Sequence, residues 1–263
     1  MRTVLTDEIL TERRGAILWI TVNRPQARNA MKLVMYERLV ELAEEINADD
    51  AIRVVVFTGA GDKAFVAGTD ISEFHAFKTP EDALRYEQRM NAVLEKLERI
   101  RVPTIAAIRG ACTGGGMSIA NVCDLRIATP SGRFGYPVAR TLGNCLSIAN
   151  YKRLVETVGA TAVKEVVFLA KLIDARRAYE VGFLNEVVDD EEALIPRVTE
   201  LAETIAGNAP LTLRVTKEAL RRIAHDGPDA KGEDLVLSCY MSNDFREGMT
   251  AFFEKRPANW TGT

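Results

Sequence analysis

The residues best placed to do chemistry lie in two glycine-containing turns. Gly110-Ala-Cys-Thr-Gly114-Gly115-Gly116 stands between a strand-like run, Val102 to Ile108, and a short helical one, Met117 to Val122. A turn that opens a helix leaves its first backbone N–H groups without intrahelical partners. The positive end of the helix dipole adds to them, so this order predicts an anion site. The anion is a phosphate, a carboxylate or a developing oxyanion; equally, the glycines let strand and helix approach closely. The second turn, Ala64-Phe65-Val66-Ala67-Gly68-Thr69-Asp70-Ile71, is a strand that breaks at glycine before an acid. Two separate sets of backbone N–H groups on strand ends of one core are what a two-donor oxyanion hole requires.

Other chemistries fit less well. A P-loop needs Lys-Ser/Thr after its glycines, where this chain has Met117-Ser118, and the dinucleotide pattern G-x-G-x-x-G with a later acid is missing. Gly116-Met117-Ser118-Ile119-Ala120 approximates a nucleophile elbow, but a serine nucleophile needs a histidine, and only His75 and His225 exist. Two distant histidines make no two-histidine zinc motif, and Cys112, Cys123, Cys145 and Cys239 form no C-x-x-C pair, so no metal is expected. The cysteines read as small buried hydrophobes. A net charge of −3, from 34 Lys+Arg against 37 Asp+Glu, leaves no basic footprint for nucleic acid.

The turns need a scaffold, and 263 residues, 47% of them hydrophobic, suffice for one large core with or without a small appendage. No long uncharged apolar run is present, and Met1 to Gly15 carries six charged residues, so the expectation is a cytoplasmic protein with no membrane partner. Ala16 to Val22, Arg53 to Thr58, Ala64 to Ala67, Val102 to Ile108 and Leu125 to Ala128 read as strands. Asn29 is placed to cap a helix with Met35, Leu39, Leu42 and Ile46 on one stripe. Thr79-Pro80-Glu81-Asp82 starts another, with Leu84, Val93, Leu94 and Leu97 as its apolar side. After Pro137 the pattern is helical over about 147–158, 160–169, 174–181, 191–206, 210–224 and 233–254, with only Asn185 to Val188 extended. Alternation of this kind means α/β, residues 1–206 forming the core and 207–263 a helical region that must pack on the core or on another subunit.

Asn23-Arg24-Pro25 with Asn29-Ala30, Gly59 to Asp62 leading into Ala67-Gly68-Thr69-Asp70, Ala107 to Gly116, Cys123-Asp124, and Glu247-Gly248-Met249 with Ala251 to Arg256 occur in that order. With them the chain resembles the enoyl-CoA hydratase/isomerase family, the crotonase superfamily, over essentially its whole length. The resemblance implies a spiral of ββα units, a C-terminal helical trimerisation region, and a homotrimer or dimer of trimers. It implies an acyl-CoA thioester substrate with no cofactor beyond its coenzyme A, the carbonyl oxygen held by the backbone N–H groups of Thr69 and Gly115. Ala27, Ala67, Asp70 and Ile71 would line the coenzyme path; Arg24, Arg28 and Lys255 are candidates for its phosphates and Phe252 for its adenine, the last two residues from a neighbouring subunit.

The sequence departs from the family at the acid and base. Hydratases carry one glutamate two residues after the glycine triplet, where this chain has Ser118, and another after the proline of a Phe-Gly-x-Pro-Glu stretch, here Phe134-Gly135-Tyr136-Pro137-Val138. Shifting the second alignment by one places Ala139 there, again no acid. The remaining polar candidates are Ser118, Tyr136, Arg140, Thr141 and Asn144, with Asp70, Glu73 and His75 on the other loop. Arg140 would suit a substrate carboxylate held bidentately. Phe74, Phe77, Tyr136 and Leu142 are candidate pocket walls. Hydration, isomerisation, decarboxylation, a Ser118 thioesterase and a non-catalytic coenzyme-A binder all stay open at this point.

Overall fold

The computed structural model describes residues 7–263. It begins with a hairpin, β1 (Ile9–Arg14) and β2 (Ile17–Val22), turning at Gly15 in the left-handed region. The apolar run of β2 announced itself, whereas β1 did not: only Ile9 of its six residues is buried, as suits an edge strand facing water. The chain continues through α1 (Leu33–Ala48), β3 (Val54–Gly59), β4 (Ala64–Val66), α2 (Pro80–Glu98), β5 (Thr104–Ile108), β6 (Ala111–Thr113) and α3 (Gly115–Val122). Next come β7 (Leu125–Ala128), β8 (Arg133–Gly135), α4 (Val138–Thr141), α5 (Ile148–Phe168), β9 (Ile173–Asp174), α6 (Ala175–Glu180) and β10 (Glu186–Val187). Four helices finish it: α7 (Leu194–Ala206), α8 (Pro210–Asp226), α9 (Glu233–Tyr240) and α10 (Asn243–Glu254).

One sheet has the order β1-β2-β3-β5-β7-β10, parallel from β2 onward; the other has the order β4-β6-β8-β9, parallel except for β9. Successive coils β3–β4–α2, β5–β6–α3 and β7–β8–α4 each give one strand to each sheet, the helices of the first two crossing back to the first sheet, which is the expected spiral of ββα units. Period-two alternation in β3 explains the layering. Val55 and Phe57 join the main core with α1 and α2, while Val54 and Val56 face Leu194, Val198 and Ala202 of α7.

Several local expectations are corrected. Asn29 caps no helix: α1 starts at Leu33, and Asn29 is fully buried with φ +57°, accepting from the Arg24 N–H (2.9 Å) and donating to the carbonyls of Ala60 (2.9 Å) and Ala64 (2.7 Å). It staples the loop before α1 to the β3–β4 connection. Leu84 is exposed and Met90 takes its place in the buried stripe of α2. The stretch Gly110–Gly116 contains β6 as well as the turn, and β8 and β9 are strands too short to show a period. Helical segments 147–158 and 160–169 form α5, interrupted at Gly159, and 233–254 divides at Met241–Ser242, where the Ser242 hydroxyl accepts from the Phe245 N–H (2.9 Å).

Residues 207–263 bury little of themselves. Pro210 is the only buried residue of α8, and α9 has none. Polar links hold α8 to the core: Lys217 reaches Asp124 (2.7 Å) and the Val102 carbonyl (3.2 Å), and Arg214 reaches Asp50 (3.4 Å). Asp124 also accepts from the Thr104 N–H (2.7 Å) and hydroxyl (2.8 Å), pinning the α3–β7 connection. Among the described residues no helix is long and apolar enough to cross a membrane.

Candidate active site

The two glycine turns meet. A methyl group built on Gly114 would stand 3.7 Å from the Gly68 Cα, and one on Gly68 would stand 3.8 Å from the Gly115 nitrogen. Met31 pairs with the second turn as a parallel bridge, its N–H donating to the Gly68 carbonyl (2.8 Å) and its carbonyl accepting from the Asp70 N–H (2.9 Å). That pattern directs the N–H of Thr69 to the opposite side. Gly115 is the first residue of α3, so its N–H has no intrahelical acceptor. Among the described residues neither the Thr69 nor the Gly115 N–H donates to protein, and both residues line one cavity. Close approach explains the neighbouring glycine instead: a methyl on Gly116 would lie 2.0 Å from the Val66 carbonyl oxygen.

Behind the donors, the Thr69 hydroxyl sits between the Tyr36 (3.0 Å) and Tyr86 (2.8 Å) phenols. Burial pushes the Tyr36 pKa up, and that of Tyr86 to about 12, so both are neutral hydroxyls at ordinary pH. On the far wall Ser118 shares a hydrogen bond with the Tyr136 phenol (3.0 Å), which burial likewise keeps protonated. Val138 and Asn144 complete that side, so Ser118 and Val138, where the family resemblance led one to expect glutamates, both line the cavity. The one carboxylate in the lining is Glu87 of α2, half-buried, its pKa raised by desolvation against a smaller lowering from the Ser147 backbone. Tyr86, Glu87, Asn144 and Cys145 also line an adjoining chamber walled by Phe74, Phe77 and Leu142. Phe74, Phe77 and Tyr86 pack edge-on or tilted there, with ring centroids 5.1–5.6 Å apart.

Thr69, Gly115, Ser118, Tyr136 and Asn144 are therefore brought together. Arg140 is not: it is exposed on α4 and outside the lining, because the short helix turns it to solvent. Arg24 is corrected more sharply. Its side chain is mostly buried and paired with Asp70 (3.0 Å) and Glu8 (3.1 Å), and it donates to the Ala30 carbonyl, so it is no free cation for a phosphate. Asp70 in turn accepts from the Ser72 hydroxyl (2.7 Å) and N–H (3.1 Å), and these bonds with Arg24 hold its pKa below the usual aspartate value. The pair fixes the turn that carries Thr69.

Arg28 and Lys255 are exposed, both with left-handed backbone. Ala27 belongs to a short 3-10 turn, and Ala67 is engaged on both sides, donating to the Arg28 carbonyl (3.1 Å) and accepting from the Thr113 hydroxyl (2.9 Å). Ile71 opens the exposed 3-10 turn Ile71–Ala76, which carries His75 at the surface. Phe252 borders a separate groove with Leu211, Phe253 and Trp260. His75 and His225 are exposed and line no part of the cavity, so the serine–histidine pair a hydrolase needs is not assembled around Ser118.

Sequence reasoning missed Tyr36, Tyr86 and Glu87. The signal for Glu87 was present: Glu87, Met90, Leu94 and Leu97 follow helical spacing, which puts a carboxylate inside an apolar stripe. The raised pKa follows from that placement.

A family model described as enoyl-CoA hydratase/isomerase matches residues 12–263. Among curated relatives, a short-chain-enoyl-CoA hydratase of Clostridium acetobutylicum is 35% identical over 95% of this chain and 96% of its own. A crotonyl-CoA hydratase of Syntrophomonas wolfei is 33% identical over 97% and 98%. An enoyl-CoA hydratase/carnithine racemase from Magnetospirillum magneticum superposes with a TM-score of 0.91 at 35% identity, covering 98% of this chain and 97% of that one.

Proposed function

Because the chain belongs to the enoyl-CoA hydratase/isomerase family, we propose that it is an acyl-CoA enzyme that stabilises an enolate-like transition state and moves protons, as an isomerase does, without two-glutamate hydration. The observation carrying this reading is the pair of unpartnered N–H groups, Thr69 and Gly115, opening on one cavity that lacks the two facing glutamates. Charge builds on the thioester oxygen as a proton leaves the neighbouring carbon. Two fixed donors at that oxygen are worth more in the transition state than in the ground state, about 3–4 kcal/mol for each donor. Ser118 and Tyr136 hold each other as neutral hydroxyls, which suits orienting an acyl group and does not suit activating water.

The coenzyme is proposed to lie along the Arg24–Ile71 side, with Arg28 the cation left for a phosphate, and Lys255 and Phe252 arriving from a second subunit. Assembly as a trimer or dimer of trimers fits the thin burial of residues 207–263. The hydratase names of the relatives favour a second reading, addition of water to an enoyl-CoA.

Incubation in heavy water with crotonyl-CoA, butyryl-CoA and methylmalonyl-CoA, read by mass spectrometry, separates the two. Deuterium entering butyryl-CoA without hydration of crotonyl-CoA is the expected result. Hydration of crotonyl-CoA assigns the second reading, and loss of carbon dioxide from methylmalonyl-CoA alone assigns decarboxylation. No change in any thioester overturns enolate chemistry. The exchange should fall about 10²–10³-fold in Gly115→Pro, which removes one donor; a Tyr36→Phe background makes room, since an atom added at Gly115 meets the Tyr36 hydroxyl at 2.4 Å.

A further inference from the structure

An oxyanion hole lowers the barrier to an enolate but takes no proton, so a base must face the carbon beside the thioester carbonyl. We propose that Glu87 is that base and the acid that returns the proton, because it is the one carboxylate sharing the cavity with Thr69 and Gly115 and stands where that cavity meets the aromatic chamber. The assignment rests on the enolate reading above and adds the group that performs its proton transfer.

Elimination supports it. Tyr36 and Tyr86 are tied to the Thr69 hydroxyl, and Ser118 is tied to Tyr136. Asn144 and Asn150 bear amides, which accept no proton at ordinary pH. On the neighbouring loop Asp70 is held by Arg24 and Ser72, and neither Asp70 nor Glu73 lines the cavity. Among the described residues of the lining this leaves Glu87 and the Cys145 thiol, and Glu87 is the carboxylate of the two, with no ion pair among the described residues. Partial desolvation raises its basicity, the adjustment a carboxylate needs to take a proton from carbon.

Position explains the choice of carbon. With the carbonyl at the Thr69 and Gly115 N–H groups, an acyl chain running toward Phe74, Phe77 and Leu142 would cross the junction of the two chambers, which Glu87 lines on both sides. A Glu87 oxygen takes the proton from the α carbon. The C–H electron pair becomes the new carbon–carbon double bond, and the carbonyl π pair moves to the oxygen held by the two N–H groups. When the proton on Glu87 is replaced by a deuteron from heavy water, delivery of that deuteron to the same carbon is exchange; delivery of the proton to the γ carbon of a 3-enoyl thioester yields the 2-enoyl isomer. No other reactant is consumed. An apolar acyl tail is the substrate class that the chamber favours.

The test is α-deuterium exchange of saturating butyryl-CoA in heavy water, with affinity for butyryl-CoA measured separately by calorimetry. Glu87→Gln keeps size and hydrogen-bonding shape, and is expected to lose about 10²–10⁴-fold in exchange rate while binding the thioester as the wild type does. Glu87→Asp should recover part of the loss, and Glu95→Gln, an exposed change on the same helix, none of it in the first place. Exchange in Glu87→Gln at the wild-type rate overturns the assignment of Glu87 and leaves enolate chemistry standing. Binding without exchange in the wild type overturns both. Should Glu87→Gln fold poorly, Glu87→Asp decides: an undiminished rate in the shortened side chain overturns the proposal.

Discussion

At the scale of single residues, Arg24 shows how much a charge's partners decide. Its guanidinium lies between Glu8 and Asp70, one residue from Thr69. Arg24→Gln should therefore loosen the oxyanion turn, costing about 1.5–3 kcal/mol in denaturant unfolding, as expected for lost hydrogen bonds to a charged group, with a fall in kcat. A phosphate ligand would instead show unchanged stability and a raised KM. The linkage sign follows from Asp70, whose folded pKa lies below its ordinary value of 3.8. Its contribution is complete above 3.8 and lost as pH falls through the lowered folded value, so wild type and Arg24→Gln should converge in stability toward acid. Stability curves that stay parallel below pH 3.8 would refute the coupling.

At the scale of elements, the spiral puts a strand end and a helix start side by side at every coil, and the cavity exploits one such junction. The approach of α3 to β4 depends on Gly116, and the direction of α5 depends on Gly159, whose φ of 74° and ψ of 157° belong to a region open only to glycine. No atom lies within 4 Å of a methyl built at Gly159, so Gly159→Ala isolates backbone strain. It should lower unfolding stability by about 1–3 kcal/mol and leave thioester exchange unaltered, since Gly159 lines neither chamber. A variant as stable as wild type would show that α5 can straighten through this point. The α2 helix carries Tyr86 toward Thr69 and Glu87 to the lining of the cavity from adjacent positions, so this one helix sets both the back of the oxyanion turn and the proposed base.

At the scale of the whole molecule, Phe252 and Phe253 of α10 are 79% and 80% exposed, and Met249 of the same helix is exposed too, although a folded chain gains by burying such side chains. Sedimentation should give a multiple of 29.1 kDa for the native protein, three or six chains, and a smaller species for Phe252→Asp with Phe253→Asp. A native protein sedimenting as one chain would reject the assembly.

The sequence by itself determined whatever depends on neighbours along the chain. Runs such as Arg53 to Thr58 show strands because burial on both faces selects β-branched residues, and the turns at Gly68 and Gly114 show themselves because positive φ selects glycine. Ordered motifs carried the family, and the places where the resemblance leads one to expect hydratase glutamates read as Ser118 and Val138. Tertiary structure alone decided what depends on partners far apart in sequence: that Arg24 is spent on Glu8 and Asp70, that Asn29 staples two loops, that Arg140 faces solvent, and that Glu87 joins Thr69 and Gly115 at one cavity. Whether a charge is paired or free, and whether a helix face meets core or cavity, is fixed by the packing of whole elements, which no local pattern of residue types records.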